Sequence, residues 1–179
     1  MTQDQNKETS YRLEGIAFGL ADGLIMCLGL IIGVAEATSD PKLVIITGVI
    51  GGFANAFGNS IGFFMSQSAE RGLQIRETIE HGVTTRIHSK TEVLVNSIFS
   101  FASTITASIF LITPFMLLNM DTAPILSFTI GIIMAFILGS YVGIISRENP
   151  YKNGLKYTIL AIVGALVSHI IADLFQIAI

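Results

Sequence analysis

Charged residues and cysteine are scarce in this sequence, and each scarcity excludes a class of protein or site. Only 13% of the 179 residues are charged, whereas soluble domains carry about 25%. With 51% hydrophobic residues and a mean hydropathy of +0.69, the chain is too apolar for a soluble or a disordered protein. Its single cysteine, Cys27, permits neither an intrachain disulfide nor a cysteine-rich metal site. The net charge of −3 offers no basic surface for nucleic acid.

Long apolar stretches make up most of the chain and predict an all-α membrane protein. Each stretch exceeds the roughly 20 residues that a helix needs to cross a bilayer, and none shows the alternation of a barrel strand. We therefore predict one five-helix transmembrane domain at 15–179, with spans near 15–36, 43–69, 93–118, 123–146 and 157–178. The remaining parts are a polar tail at 1–14 and a polar connector at 70–92, expected to form one or two short helices.

Lysine and arginine are concentrated on one predicted side of the membrane. Of the ten cations, only Lys42 falls on the opposite side. By the positive-inside rule, the N-terminus and the connector are predicted to be cytoplasmic and the C-terminus to be outside. Because no transit signal is recognisable, we expect an integral protein of a prokaryotic cell (inner) membrane.

Asp22 is an ionisable residue inside the first predicted span, where an unpaired charge is costly. It shares a helix face with Met26, one turn later. A carboxylate beside a thioether suits a borderline divalent ion such as Fe²⁺ better than Ca²⁺ or Mg²⁺. A proton site or a hydrogen-bonded core acid is the alternative for Asp22, and simple packing is the alternative for Met26.

Small and amide side chains follow one face of each of the first two spans. Glycines on such faces allow helices to approach closely, and we predict that the stripe on span 1 forms the contact of a homodimer. The predicted packing glycines are Gly15, Gly19, Gly29, Gly33, Gly52 and Gly62. Asn55 and Asn59 in span 2 either line a polar path or form hydrogen bonds between helices, and Asn59 is a candidate metal ligand.

Two further groups of ionisable residues are candidate sites. His169 and Asp173 are four residues apart in the last span, as in a metal pair or a proton relay. We predict that both take part in proton coupling with Asp22, and a structural role at the membrane boundary is the alternative. In the connector, carboxylate and imidazole groups suit Fe, Mn or Zn, and the alternative is a solvated face paired with Arg76 and Arg86. The candidate metal ligands there are Glu70, Glu77, Glu80 and His81.

The pattern in span 1 is specific enough to suggest a family. Its Asp22-Gly23 pair, within GLADGLIMCLGLIIGVAEAT, resembles the vacuolar iron transporter family. Span 2 is similar to the small-residue span of that family, although Asn59 and Phe63 stand where its members have methionine and often glutamate. The chain thus resembles a divergent prokaryotic-type member with a shortened cytoplasmic connector.

This resemblance implies a homodimer in which span 1 lines a central path for ferrous or manganous ions. The ions would leave the cytoplasm in exchange for protons, with Asp22 as the ligand inside the membrane. The resemblance also implies that the acids of the connector form a cytoplasmic metal-binding segment. The matching acids are Glu70, Glu77 and Glu80.

We therefore predict a transporter of Fe²⁺ or Mn²⁺, with Co²⁺ or Zn²⁺ as further cargo, and no permanently bound cofactor. The sequence has no Walker lysine, GxSxG or HExxH motif, so an enzyme is not predicted. A non-transporting membrane assembly or sensor protein, whose connector 70–92 binds a partner, is the alternative. An intramembrane enzyme built on His169 and Asp173 is disfavoured, because no nucleophile or third ligand accompanies them.

Overall fold

The computed structural model describes residues 3–82 and 87–178, and the side chains of 13–82 and 87–174. Within these residues the chain forms five α-helices and no strand, in agreement with the predicted all-α membrane protein. All five are long and apolar enough to cross a membrane. They are α1 (Gln3–Thr38), α2 (Pro41–His81), α3 (Lys90–Leu117), α4 (Ala123–Ile145) and α5 (Pro150–Ala178).

Side-chain caps mark the starts of two helices. Between α1 and α2, Asp40 accepts a hydrogen bond from the Lys42 N–H at 2.9 Å, and Pro41 takes the first helical position. Before α5, the side chain of Asn149 accepts a hydrogen bond from the Tyr151 N–H at 3.0 Å. This cap starts α5 well ahead of the predicted fifth span.

Two helices extend beyond the predicted spans into polar sequence. The predicted tail is helical from residue 3 onward, and α2 continues through 70–81 to a left-handed Gly82 at φ 63°. A lone glycine such as Gly72 costs a helix only about 1 kcal/mol. Beyond Gly72, an ion pair at 2.9 Å between Arg76 and Glu80, one helical turn apart, supports the end of α2. The first half of the connector is therefore a continuation of α2 and not a separate short helix.

The central helix of the bundle is α1, which contacts all four other helices. Within the described residues, α2 contacts α1 and α3 alone. On the other side of α1, α4 and α5 pack against each other and against α1. The fold is thus two three-helix groups that share α1, with a further contact between α3 and α4.

Glycines bring α1 and α3 together at backbone distance. Three glycines, each four residues from the next, face three polar residues of α3 in the same order along both helices. The facing pairs are Gly15–Asn96, Gly19–Ser100 and Gly23–Thr104. A Cβ atom on Gly19 would lie 2.2 Å from the carbonyl oxygen of Ser100, so no larger residue fits without moving a helix. The order of the pairs also shows that α1 and α3 run parallel.

The other predicted packing glycines have different neighbours. Gly29 and Gly33 face Ser168 of α5, and Gly52 faces Ser108 of α3. The stripe on span 1 is therefore occupied by helices of the same chain, which corrects the prediction that it forms the contact of a homodimer. A Cβ atom on Gly62 of α2 would meet no atom of another helix within 4 Å in the part of the chain that the structure describes.

Candidate functional site

Asp22 lies in the membrane-crossing part of α1 and faces α2. Asn55 and Asn59 donate hydrogen bonds from their side-chain amides to the same carboxylate oxygen, Oδ2, at 2.8 and 2.7 Å. The two asparagines are four residues apart, so they share one face of α2. We call these three residues the Asp22 site.

Thr104 of α3 fixes one of the two amides and is itself fully buried. Its hydroxyl accepts a hydrogen bond from the Asn59 amide at 3.2 Å. The same hydroxyl lies 2.9 Å from the carbonyl oxygens of Gly19 and Ser100, to which it can donate its hydrogen. The Asn59 amide nitrogen is thus held between Asp22 and Thr104, and its orientation depends on all three helices.

The Asp22-Gly23 pair has a structural explanation. A Cβ atom on Gly23 would lie 2.9 Å from the Cα atom of Thr104. Glycine therefore lets α3 approach α1 closely enough for Thr104 to reach Asn59. The Asp22-Gly23 pair thus combines the charged residue with the small residue that lets α3 come near.

The two oxygens of the Asp22 carboxylate have different surroundings. Two N–H donors stabilise a negative charge on Oδ2. Oδ1 accepts no hydrogen bond from the described residues, and the side chain is only partly buried. The carboxylate is therefore held in place by one oxygen while the other is free to bind a proton or a cation.

Met26 lies at the interface between α1 and α2 that also contains Asp22 and Asn59, which we call the seam. Its side chain is partly buried, and its terminal methyl group lies 4.0 Å from the position that a Cβ atom on Gly51 would occupy. Met26 makes no hydrogen bond with Asp22 and lies one turn away along α1. The structure therefore places a thioether beside the seam that contains Asp22 and Asn59.

A second polar cluster, which the sequence did not reveal, joins the same three helices toward the other end of α3. Gln67, buried in α2, donates a hydrogen bond to the Glu14 carboxylate at 3.0 Å. Asn96 of α3 donates to Gln67 at 3.1 Å and is fully buried. A glutamine inside an apolar run is the signal that could have identified this cluster. Polar contacts thus extend from Glu14 to Asp22 along one side of α1.

His169 and Asp173 lie at the far end of the bundle, where the sequence also missed a partner. His169 Nδ1 is 2.5 Å from an oxygen of Glu36, in the last turns of α1, whereas Nε2 is 3.7 Å from Asp173. Glu36 occupies the same helical face of α1 as Asp22, and that periodicity was the available signal. The imidazole therefore lies between carboxylates of two helices, with a hydrogen bond to Glu36 and an ion-pair distance to Asp173.

The predicted ligands of the connector do not converge in the structure. Glu70, Glu77, Glu80 and His81 are all exposed along the last turns of α2. Glu80 pairs with Arg76, as the solvated-face alternative expects, and Arg86 lies outside the described residues. Across the described residues, no group of three or more His, Cys, Asp or Glu side chains is placed to hold a metal ion. A metal site in the connector stays a prediction.

In the described part of the chain, five helices long and apolar enough to cross a membrane, with a carboxylate held between two of them, define a polytopic membrane protein with an internal ionisable site. Comparison with known proteins gives its family. The VIT family profile matches residues 13–80, which include Asp22, Asn55 and Asn59. The chain is also 31% identical over 172 residues to an uncharacterized protein of Methanocaldococcus jannaschii, covering 89% of this chain and 88% of that protein.

The chain therefore belongs to the VIT family, the vacuolar iron transporters. Membership indicates transport of metal ions across a membrane and not an enzymatic reaction. The matched region ends within the extended part of α2, so it covers the helices that supply Asp22 and both asparagines but not Thr104.

Proposed function

We propose that the protein exports Fe²⁺ or Mn²⁺ from the cytoplasm in exchange for protons, with Asp22 as the ligand inside the membrane. The observation that carries this proposal is the carboxylate of Asp22, held by two amides through Oδ2 and free at Oδ1. A charged side chain in a span is expensive and is rarely kept without a function. Membership of a family of metal-ion transporters supports the same reading.

The donor atoms near Asp22 suit a borderline divalent ion. Asn55 and Asn59 use their nitrogens to hold Asp22, and neither carboxamide oxygen accepts a hydrogen bond from the described residues. These oxygens and Oδ1 of Asp22 are hard ligands, whereas the thioether of Met26 is soft. An ion that accepts both kinds of ligand, such as Fe²⁺, matches the seam better than Ca²⁺ does.

We propose that two copies of the chain together form the path. A divalent ion carries two positive charges, and one copy contributes a single carboxylate at this depth, so two facing Asp22 side chains would neutralise the ion. The α2 surface next to Asn59 is free to receive the second copy. This surface, which we call the outer α2 face, consists of Ala54, Gly58, Ile61, Gly62 and Met65, all exposed.

The outer α2 face has the composition of a helix contact. Gly58 and Gly62 are four residues apart, as in the small-residue motif of membrane helix pairs. Each has open space where a Cβ atom would be, within the described residues. Contact at these positions would bring the Asp22 seams of the two copies toward each other. The glycines of α1 cannot provide this contact, because α3 and α5 of the same chain cover them.

Proton exchange is proposed to involve His169, Asp173 and Asp22. His169 and Glu36 link α5 to α1 at the end opposite to Glu14, so a proton bound there would arrive from the other side of the membrane. The imidazole is half exposed and accessible to water at that boundary. Proton entry at the pair of His169 and Glu36 and ion binding at Asp22 would then both involve α1, which supplies Glu36 and Asp22.

Ion flux into liposomes tests the proposal. We expect the reconstituted protein to move Fe²⁺ and Mn²⁺ faster when a pH gradient is imposed, and Asp22→Asn to lose most of this flux. Asp121→Asn, in the exposed turn between α3 and α4, is the matched control and should transport normally. Co²⁺ and Zn²⁺ flux defines the range of cargo.

Three results of this experiment would contradict parts of the proposal separately. Absence of divalent flux under every gradient would overturn transport and favour an assembly or sensor protein. Normal flux by Asp22→Asn would overturn the ligand assignment alone. Flux that is indifferent to the pH gradient would overturn proton exchange alone.

A further inference from the structure

A cleft of about 350 Å³ lies between the polar end of α2 and the beginning of α3, away from the Asp22 site. Two cations, one hydroxyl and two apolar side chains line it. These residues are Phe64, Ser68, Arg71, Lys90 and Val93, and we call the space they enclose the α2–α3 cleft.

Hydrogen bonds fasten the chain before α3 to α2 and so define one wall of this cleft. Arg71 donates from Nε to the carbonyl oxygen of His88 at 2.9 Å. The N–H of His88 donates to the side-chain oxygen of Gln74, also at 2.9 Å. Ser89 then caps α3 through a capping box, which puts Lys90 in the first turn. Arg71 and Lys90 therefore line one cleft although they lie on different helices.

The polarity of the cleft changes along its length in the same direction on both walls. On α2, Phe64, Ser68 and Arg71 follow each other at intervals of four and three residues, so they share a face. On α3, Lys90 and Val93 are three residues apart. On each helix the apolar residue lies toward the middle of the span and the cation toward its polar end.

Neither cation of the cleft is neutralised by a carboxylate within the described residues. The nearest acids along the chain have other partners. Glu70 accepts a hydrogen bond from Gln74 at 3.2 Å, and Glu92 accepts one from the Ser89 N–H at 2.8 Å. Arg71 and Lys90 thus present two positive charges to the space between them.

We propose that the α2–α3 cleft binds an anionic phospholipid, with its phosphate between Arg71 and Lys90. The glycerol ester region would lie beside Ser68, and an acyl chain would lie along the exposed Phe64, with the buried Val93 beneath it. Arginine and lysine are the usual phosphate ligands, and basic clusters at the end of a membrane helix attract anionic headgroups. A soluble phosphate compound would use the two cations but would leave the apolar floor of the cleft empty. An anionic lipid would occupy both the cationic end and the apolar end of the cleft.

Thermal unfolding of the purified full-length chain in detergent tests this proposal. The probes are dioleoyl-phosphatidylglycerol, dioleoyl-phosphatidylcholine and sodium phosphate, each titrated separately. We expect phosphatidylglycerol to raise the Tm at the lowest concentration. Since one cation near the membrane surface contributes about 1 kcal/mol, each cation removed should weaken phosphatidylglycerol binding about fivefold. The variants are Arg71→Gln and Lys90→Gln, alone and combined.

Lys90→Gln keeps the test valid if Arg71→Gln fails to fold, because Arg71 also holds His88 whereas Lys90 makes no side-chain hydrogen bond in the described residues. Arg147→Gln, in the turn after α4, combined with Lys152→Gln, in the first turn of α5, removes two cations elsewhere and should bind phosphatidylglycerol as the wild type does. Native mass spectrometry should then show fewer retained phosphatidylglycerol molecules on the cleft variants than on this control.

Three outcomes would overturn the proposal. Equal stabilisation by sodium phosphate would assign the cleft to a soluble phosphate ligand. Equal stabilisation by phosphatidylcholine would remove the role of net headgroup charge. Unchanged phosphatidylglycerol binding by the double variant of the cleft would place the lipid elsewhere.

Discussion

At the scale of single residues, the Asp22 site is a carboxylate whose position is set by hydrogen bonds from two other helices. Asn59 has the central role, because its amide nitrogen reaches both Asp22 and Thr104. Asn55 reaches Asp22 alone. Loss of Asn59 would therefore loosen the contact of α2 with both α1 and α3.

We expect Asn59→Leu, which keeps the side-chain size, to destabilise the protein by about 0.6–1.7 kcal/mol, from the average to the largest value measured for a hydrogen bond between membrane helices. Unfolding in mixed detergent micelles measures this difference. Ser66→Ala is the control, since Ser66 is exposed on α2 and makes no hydrogen bond with the described residues. An Asn59→Leu variant as stable as this control would show that the hydrogen bonds contribute nothing.

The sequence indicated Asp22 because an acid inside an apolar run is conspicuous. It could not decide whether Asn59 lines a path or bonds between helices, and the structure places it in a hydrogen bond to Asp22. Glu36 was not predicted as the partner of His169, because the two residues are far apart in sequence. They belong to different helices, and the sequence of each helix does not show which of its faces meets the other. Gln67 was missed for the same reason.

At the scale of helices, the contact between α1 and α3 depends on residues that have no side chain. Gly19 is crowded from two directions. A Cβ atom there would lie 2.2 Å from both the Ser100 carbonyl oxygen and the Ser103 hydroxyl oxygen. Gly72, in the exposed end of α2, has open space in the described structure. The same substitution at these two positions should therefore have opposite effects.

Gly19→Ala should lower the free energy of unfolding by about 1–3 kcal/mol, because the methyl group forces α1 away from backbone atoms of α3. Gly72→Ala should raise it by up to about 1 kcal/mol, because alanine favours the helix. Both are measured by unfolding in detergent micelles. Equal effects at the two positions would show that the close packing of α1 on α3 is absent in solution.

Helix number followed from the sequence, but helix length did not. Apolar runs report where a chain crosses lipid, and the five spans were predictable for that reason. The continuation of α2 through 70–81 depends on backbone hydrogen bonds and on local pairs such as Arg76 with Glu80. A hydropathy pattern does not report either kind of interaction. The faces on which α1 buries its glycines depend in turn on where α3 and α5 pack.

At the scale of the whole molecule, the outer α2 face is the surface on which the proposed homodimer depends. A cysteine at Gly62 tests it, because this position has open space in the described structure. We expect Gly62→Cys to form a disulfide-linked dimer under mild oxidation in the membrane. The native Cys27 is fully buried and should not contribute.

Val167→Cys on the exposed surface of α5 is the control for this crosslinking experiment. It should remain monomeric on a non-reducing gel under conditions in which Gly62→Cys crosslinks. Equal crosslinking of the two variants would reflect random collision, and crosslinking of Val167→Cys alone would place the contact on α5. Either result would contradict a dimer through α2.

The backbone contact of α1 with α3 has a consequence for how the protein can move. At the level of Gly19 there is no space for α1 to rotate or slide, and further along its length α1 also rests on Ser168 of α5. The contacts of α2 with α1 and α3 rest instead on side-chain hydrogen bonds such as those of Asn55, Asn59 and Gln67, which can break and form again. In a transport cycle Asp22 would therefore stay at a fixed depth while α2 tilts across it. With Asp22 as the ligand that we propose, the ion would be released when the asparagines move away, while the carboxylate keeps its position.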